Sequence, residues 1–423
     1  MWLRFRNYAV LILLFPFLLI LAGTILLTNS SWFKDQFEVL LVTASPAWTV
    51  NFFTPFLYAV VVFFLSAILV GVLRDYTVRR KMLDVANQRS LHQIPTPRGG
   101  GLVISILALG LFLMLLVATP ASLSPLALVY IVMALFLTMI SLYDDWIKAL
   151  PARIRLGCHS IAALILVASS FMLNPVQITL SLSTIATITV SGVFAAIILI
   201  IWMIGFTNIF NFMDGIDGIA ATQALLAAVG WSLIFFLEGA NTLMLFNIVI
   251  AALSAGFLVH NAAPARIFMG DSGSIFLGFT LAGTPLLGFA TLKNPILFIV
   301  AGMFVFPFIV DGTYTIIKRL RNGENVLEAH RKHIYQQLVL SGQSHGRVTR
   351  LYGLLMVVSV TSGLVYYAGD PSAKLTALVV IVIMMTTFVV GAEYLLATKT
   401  RFRLTESSNH ALTKSGTMSS SQD

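Results

Sequence analysis

Runs of nearly uncharged residues, separated by short polar stretches, make up most of the chain. A helix of about twenty apolar residues crosses about 30 Å of hydrocarbon. The pattern predicts spans at 8–27, 52–73, 101–118, 125–143, 157–173, 192–206, 219–237, 243–259, 275–291, 295–317, 351–367 and 375–396. One segment breaks it. In 178–190, ITLSLSTIATITV, apolar and hydroxyl residues alternate with period two. That spacing predicts a small hairpin on the outer side, not a crossing. Residues 30–51 hold Trp32 and Trp48 and read as an outer interfacial stretch. The end of the chain is polar and rich in Ser and Thr, which predicts disorder. The fold class is therefore an all-α polytopic membrane protein, a bundle of about twelve helices. Its divisions are 1–51 (a first helix and outer loop), 52–397 (a membrane-embedded domain) and 398–423 (a disordered cytoplasmic tail).

Composition agrees: the chain is 58% hydrophobic and 10% charged, where a soluble domain carries about 25% charged residues. The run at 8–27 follows Arg4 and Arg6, as a signal peptide would. It is long and no clear A-x-A site follows, so it reads as a span. On the outer side, Lys and Arg occur only as Lys34, Lys293 and Lys374. The remaining basic residues share the opposite side, which the positive-inside rule makes cytoplasmic. The net charge of +9 suits anionic headgroups or an anionic substrate. Nucleic acid is excluded as a partner because the basic residues are scattered among short loops. A single cysteine, Cys158, excludes an intramolecular disulfide.

The densest polar stretch is NIFNFMDGIDG, where Asn208, Asn211, Asp214 and Asp217 fall at steps of three. A regular helix would fan these four over half its circumference, and a break at Gly215 or Gly218 would gather them. Asn and Asp also cap helices. Acids at a membrane border are costly unless paired or bound to a cation, so the set reads as a functional site.

Four other loops reach the same face. HQIPTPRGGG carries His92, glycines that permit close backbone approach, and Arg98, which can fork onto phosphate. Asp144 and Asp145 are adjacent carboxylates that repel unless a cation or proton lies between them, and Lys148, Arg153 and Arg155 follow. HNAAPARIFMGDSG holds Asn261 and Phe268, and presents Asp271 at the start of a helix. In AHRKHIYQQL, His330 and His333 lie one helical turn apart with Arg331 between them. No third soft ligand for zinc is evident there, so a cationic clamp for a diphosphate fits better.

Carboxylates with amide oxygens suit a hard cation such as Mg²⁺, with Mn²⁺ as a substitute, and basic residues suit a diphosphate. These are the parts of phosphoryl transfer. Two rivals differ in class. A transporter would place coupling acids at mid-helix, where only Asp311 sits within an apolar run. A lipid-diphosphate phosphatase would use water as nucleophile.

In this order, PTPRGGG, YDDW, NxxNFMDGIDG, NxxPARIFMGDSGS and AHRxHxYQ resemble the polyprenyl-phosphate N-acetylhexosamine-1-phosphate transferases, glycosyltransferase family 4. The likeness covers about residues 74–350, and the His box is most similar to the O-antigen-initiating branch. The resemblance implies a family core of about eleven helices, which the run at 8–27 exceeds by one, with 52–397 as the transferase domain. It implies catalytic roles for Asp144, Asp145, Asp214, Asp217, His330, Arg331 and His333. It also implies Mg²⁺ on Asn211 and Asp271, and substrate contacts by Asn261 and Phe268, with Arg98 and Asn208 as further substrate-binding candidates. The substrates implied are undecaprenyl phosphate and a UDP-N-acetylhexosamine, with UMP released. The setting implied is the cytoplasmic face of a bacterial inner membrane, in lipopolysaccharide biosynthesis. Homodimerisation, the role of His92 and the identity of the sugar stay open.

Overall fold

The computed structural model describes residues 53–84, 91, 95–119, 124–147, 149–181, 187–325, 328 and 330–419. The expected span at 8–27, the stretch 1–51 and His92 lie outside the described residues. From Phe53 onward the chain forms α1 (Phe53–Arg79), β1 (Leu83–Asp84), β2 (Thr96–Pro97), α2 (Gly101–Ala118), α3 (Pro125–Trp146) and α4 (Ala152–Leu173). Then come β3 (Gln177–Ser181), β4 (Thr187–Ser191), α5 (Gly192–Met213), α6 (Ile219–Leu237), α7 (Asn241–Asn261) and α8 (Asp271–Leu292). The remainder is α9 (Leu297–Phe304), α10 (Phe306–Arg321), α11 (Ile334–Leu340), α12 (His345–Ala368) and α13 (Pro371–Ser419).

Ten of these helices are long and apolar enough to span a membrane, and α9 with α10, a pair bent at a short break, is long and apolar enough when taken together. The alternation expected at 178–190 is an antiparallel hairpin, with Ile178 opposite Val190 and Leu180 opposite Ile188. One expectation fails in shape. The run at 295–317 is not one straight helix; α9 and α10 meet at 74°. Pro307 sits in the first turn of α10. A proline ring has no N–H to donate and clashes with the preceding turn, so the helix stops before it and restarts in a new direction. A second difference lies at the end of the chain. α13 continues to Ser419, through the segment expected to be disordered. No proline follows Pro371, and extending an existing helix costs much less than nucleating one.

The centre of the bundle is α8, which packs on α3, α5 and α2. Its mean hydropathy is 1.7 with 83% of its apolar window buried, whereas α1 at the periphery has 2.8 and 22%. The outer helix must match lipid around its circumference, while the central one meets only protein and so tolerates Ser, Thr and Gly. One polar pair shows this: Tyr130 of α3 and Thr280 of α8 share a buried hydrogen bond of 2.7 Å. Glycine decides the closest approach. A Cβ on Gly101 would collide with Gly273, so the first turns of α2 and α8 touch backbone to backbone. That contact brings the loop before α2 onto the N-terminus of α8. All the loops singled out in the sequence lie at this end of the bundle.

Candidate active site

Two of those loops are stitched together by backbone. Gly99 and Gly100 N–H donate to the Phe268 carbonyl at 3.1 and 2.9 Å, and Phe268 N–H donates to Pro97 O at 2.8 Å. Arg98 is thereby held over the N-terminus of α8. Its Nη2 lies 2.6 Å from Asp271 Oδ1 and its Nε 3.2 Å from Asp145 Oδ1. Arg155, in the first turn of α4, reaches Asp271 Oδ2 at 2.8 Å and Asp144 Oδ2 at 3.2 Å through one nitrogen. The charges alternate in the order Asp145, Arg98, Asp271, Arg155, Asp144. Asn211 Nδ2 adds bonds to Asp271 Oδ1 at 3.2 Å and Ser274 Oγ at 2.8 Å. The two adjacent acids thus avoid repulsion by facing different arginines.

Asp144 and Asp145 differ in role. The Asp145 side chain is fully buried. It accepts the N–H groups of Asp271 and Ser272 at 3.1 and 3.0 Å, so a residue of α3 caps α8. Asp144 accepts the Leu150 N–H, which closes the turn before α4. Neither lines the adjacent cavity of ≈ 250 Å³, whose wall includes Arg98, Asn211, Asp214, Asp217, Phe268 and Asp271.

The break expected near Gly215 and Gly218 is present: α5 ends at Met213, and Gly218 takes φ +77°. It brings Asp214 and Asp217 to the cavity with Asn211, but not Asn208. Asn208 is one turn earlier on α5; its Nδ2 donates to Ile204 O at 2.7 Å and its Oδ1 meets His159 Nδ1 at 3.2 Å. It is a packing residue between α4 and α5, not part of the cavity. The Asp214 carboxyl faces the cavity and accepts no hydrogen bond among the described residues. Burial pushes it well above the usual carboxylate range; Arg98 opposes the shift, and Asp271 and Asp145 add to it. Asp217 is tied down: it accepts the Ala265 N–H at 3.1 Å and faces His345 Nδ1 at 3.1 Å.

Asn261 also lines the cavity, but both ends of its amide are committed. Oδ1 accepts Gly218 N–H and Nδ2 donates to Ile267 O, each at 2.9 Å. It clamps two loops together, which leaves it little capacity to read a ligand. Phe268 is half-buried in the same cavity wall.

The His box departs furthest from expectation. His330, Arg331 and His333 are not in the cavity wall; Gln336 of the same segment is. The box hangs on Asp311, a fully buried residue of α10. Its Oδ1 accepts Ile334 N–H at 3.0 Å and lies 3.1 Å from His333 Nδ1. Its Oδ2 accepts Tyr335 N–H at 3.1 Å and the Tyr352 hydroxyl. His333 Nε2 is buried without a hydrogen-bond partner in the structure as described. The His330 ring stacks on His333 at 5.0 Å. Burial, with His333 and Arg319 as positive neighbours, pushes the His330 pKa down to about 4. The shift favours the uncharged ring of His330.

Tyr335 fastens the box to the other loops, its hydroxyl donating to Phe212 O at 2.8 Å. A Cβ on Gly215 would collide with that hydroxyl. Gly215→Ala is expected to cost about 1–3 kcal/mol by overpacking, seen as a lower melting temperature. Adding Tyr335→Phe removes the colliding atom and should recover part of the loss. A double variant no more stable than Gly215→Ala alone would refute this contact.

Sequence reasoning missed Arg155 as a bridging group, and it missed His159, His345 and the anchoring role of Asp311. Asp311 did carry a signal, an acid alone within an apolar run. Histidine in a polar loop carries none, so His345 was not legible.

A model of glycosyl transferase family 4 matches residues 127–289, which include Asp144, Asp145, Arg155, Asn211, Asp214, Asp217 and Asp271. A probable undecaprenyl-phosphate N-acetylglucosaminyl 1-phosphate transferase of Bacillus subtilis is 31% identical over 167 residues, 38% of this chain and 46% of that protein. The chain thus matches under half the length of that relative. A decaprenyl-phosphate N-acetylglucosaminephosphotransferase of Mycobacterium leprae is 29% identical over 362 residues, 78% of this chain and 88% of the relative. A phospho-N-acetylmuramoyl-pentapeptide-transferase of Moorella thermoacetica is 26% identical over 325 residues, 73% of this chain and 96% of the relative.

Proposed function

We propose that this chain, which a model of glycosyl transferase family 4 matches over residues 127–289, moves an N-acetylhexosamine 1-phosphate from a UDP-sugar to undecaprenyl phosphate and releases UMP. A lipid phosphate oxygen attacks the β-phosphorus of the donor. The bond from that phosphorus to the oxygen bridging the two phosphates breaks, and UMP leaves with that oxygen. The reading rests on the alternating arginine and aspartate chain, of which Arg98 and Asp271 line the cavity at this end of the bundle. The product is a lipid-linked sugar that starts a glycan, of O-antigen type by the form of the His box. The site would face the cytoplasm at a bacterial inner membrane.

Arg98 is placed to fork onto phosphate oxygens, since its guanidinium reaches the cavity while Asp145 and Asp271 fix its direction. Burial opposes its charge, but Asp271 and Asp145 more than offset that, so it stays protonated. Asp144 has both oxygens engaged, by Leu150 N–H and Arg155. Asp214 has neither, so Asp214 is the better candidate to accept a proton in the cavity. A base must be deprotonated to act, so turnover should rise with pH through the raised Asp214 pKa. Asp214→Asn should abolish that rising limb in a pH–rate profile. A limb that survives would assign the base elsewhere.

Among the described residues no three His, Cys, Asp or Glu side chains converge to hold a metal. Mg²⁺ sites commonly take one or two carboxylates and complete the shell with substrate phosphates and water. Asp271 and the Asn211 amide oxygen fit that pattern at the cavity wall. Bound there, Mg²⁺ would neutralise the charge of the diphosphate. EDTA is expected to abolish activity, with recovery in Mg²⁺ or Mn²⁺ and not in Ca²⁺. Full turnover in EDTA would remove the metal from this account.

The reaction is tested by incubating purified protein with undecaprenyl phosphate and UDP-GlcNAc, UDP-QuiNAc or UDP-FucNAc. UMP should form only when the lipid is present. Inorganic phosphate from a lipid diphosphate, with no UMP, would favour a phosphatase. Inversion of configuration at the transferred phosphorus would support direct attack, and retention a two-step route through an aspartyl phosphate.

A further inference from the structure

Arg98 accounts for phosphates but not for another part of the cavity lining, where Asp217 and His345 meet. His345 opens α12 and lines the cavity. Its Nδ1 lies 3.1 Å from Asp217 Oδ1. The other oxygen of Asp217 accepts the Ala265 N–H at 3.1 Å, and its carbonyl accepts Thr349 Oγ1 at 2.7 Å. Asp217, the partner of the imidazole, is itself held by Ala265 and Thr349. The imidazole Nε2 has no partner among the described residues and is not sealed from the cavity.

The pairing selects a tautomer. An ionised carboxylate only accepts, so the hydrogen of a neutral ring sits on Nδ1, and Nε2 presents a lone pair. The loop from Ala265 to Gly270 links this pair to the residues beside Arg98, and its half-buried Phe268 lines the same cavity. A nucleotide with its phosphates at Arg98 would extend past Phe268 toward His345. We propose that His345, held by Asp217, determines the choice of nucleobase by accepting the N3–H of a uracil ring. Cytosine in the same pose would set its own N3 lone pair against Nε2. This inference rests on the proposal that the donor is a uridine diphosphate sugar.

The test is calorimetric binding of UDP and CDP, with Mg²⁺, to the full chain in lipid nanodiscs. Wild-type protein should prefer UDP. His345→Ala should weaken UDP about tenfold, the value of one hydrogen bond, and leave CDP within about twofold. His345→Gln, which keeps an acceptor oxygen, should recover part of the preference. An unchanged UDP-to-CDP ratio in His345→Ala, or equal weakening of both, would overturn the proposal and leave His345 a structural residue. Wild-type protein that binds neither nucleotide would overturn the uridine donor first, and the role of His345 with it.

Discussion

Asp271→Asn is expected to lower turnover by about a hundred- to a thousandfold, the size seen when an aimed electrostatic partner is removed. It should also lose Mg²⁺-dependent nucleotide binding. Asp271 lies between Arg98 and Arg155 at 2.6 and 2.8 Å. Without its charge, two guanidinium groups share a site with only Asp145 and Asp144 behind them, and Arg98 loses the partner that aims it at the cavity. Asp144→Asn gives the contrast. An amide oxygen can still accept the Leu150 N–H, so the turn before α4 should hold. Nucleotide binding should stay within about twofold of wild type, and the loss should appear in kcat. Calorimetry on both variants beside kcat separates the cases. Binding that survives Asp271→Asn but vanishes in Asp144→Asn would reverse the two roles.

The second large effect lies away from the cavity. Asp311→Ala removes an acceptor that serves two backbone N–H groups, a histidine, a tyrosine and a threonine, in a fully buried setting. Breaking a buried ionic or charge-assisted cluster from one side costs about 3–5 kcal/mol. The N-terminus of α11 would lose its cap, and Gln336 would lose its place at the cavity. Turnover is expected to fall by about a hundredfold, with a lower melting temperature. Tyr352→Phe removes only one of the five bonds to Asp311 and should cost about 1 kcal/mol with most activity kept. If Asp311→Ala melts like wild type, the box is held by something else. If it melts early but turns over normally, the box has no part in the reaction.

Charge pattern and tertiary contact contributed differently to these expectations. The run of apolar residues located α2 at Gly101–Ala118 and α6 at Ile219–Leu237 to the residue, and the period of two located the hairpin. Both follow from local physics, since a span must present apolar groups over its length and a half-exposed strand must alternate. The cluster of Asn and Asp after α5 was legible for a similar reason: polar groups at a membrane border need a use. Proline in the run at 295–317 was also legible, but the 74° bend it allows was not. A proline permits a kink, and the packing around it sets the angle.

By itself, then, the sequence determined a multi-pass membrane protein, the position of most of its helices, and five polar loops rich in acids, amides and basic residues. Only the tertiary structure decided how these pair. Arg98 and Asp271 are 173 positions apart, so no spacing rule connects them; the backbone contact of Gly101 with Gly273 does. Asn208 has the same spacing as Asn211, yet one faces His159 and the other Asp271, because a helix turns successive residues to different neighbours. Asp144 and Asp145 are adjacent and chemically identical, and burial against α8 makes one a cap while the other holds a turn. Residue type and periodicity report what a segment requires of its surroundings. Which groups meet that requirement depends on long-range packing, where each side chain has one set of neighbours out of many that its sequence allows.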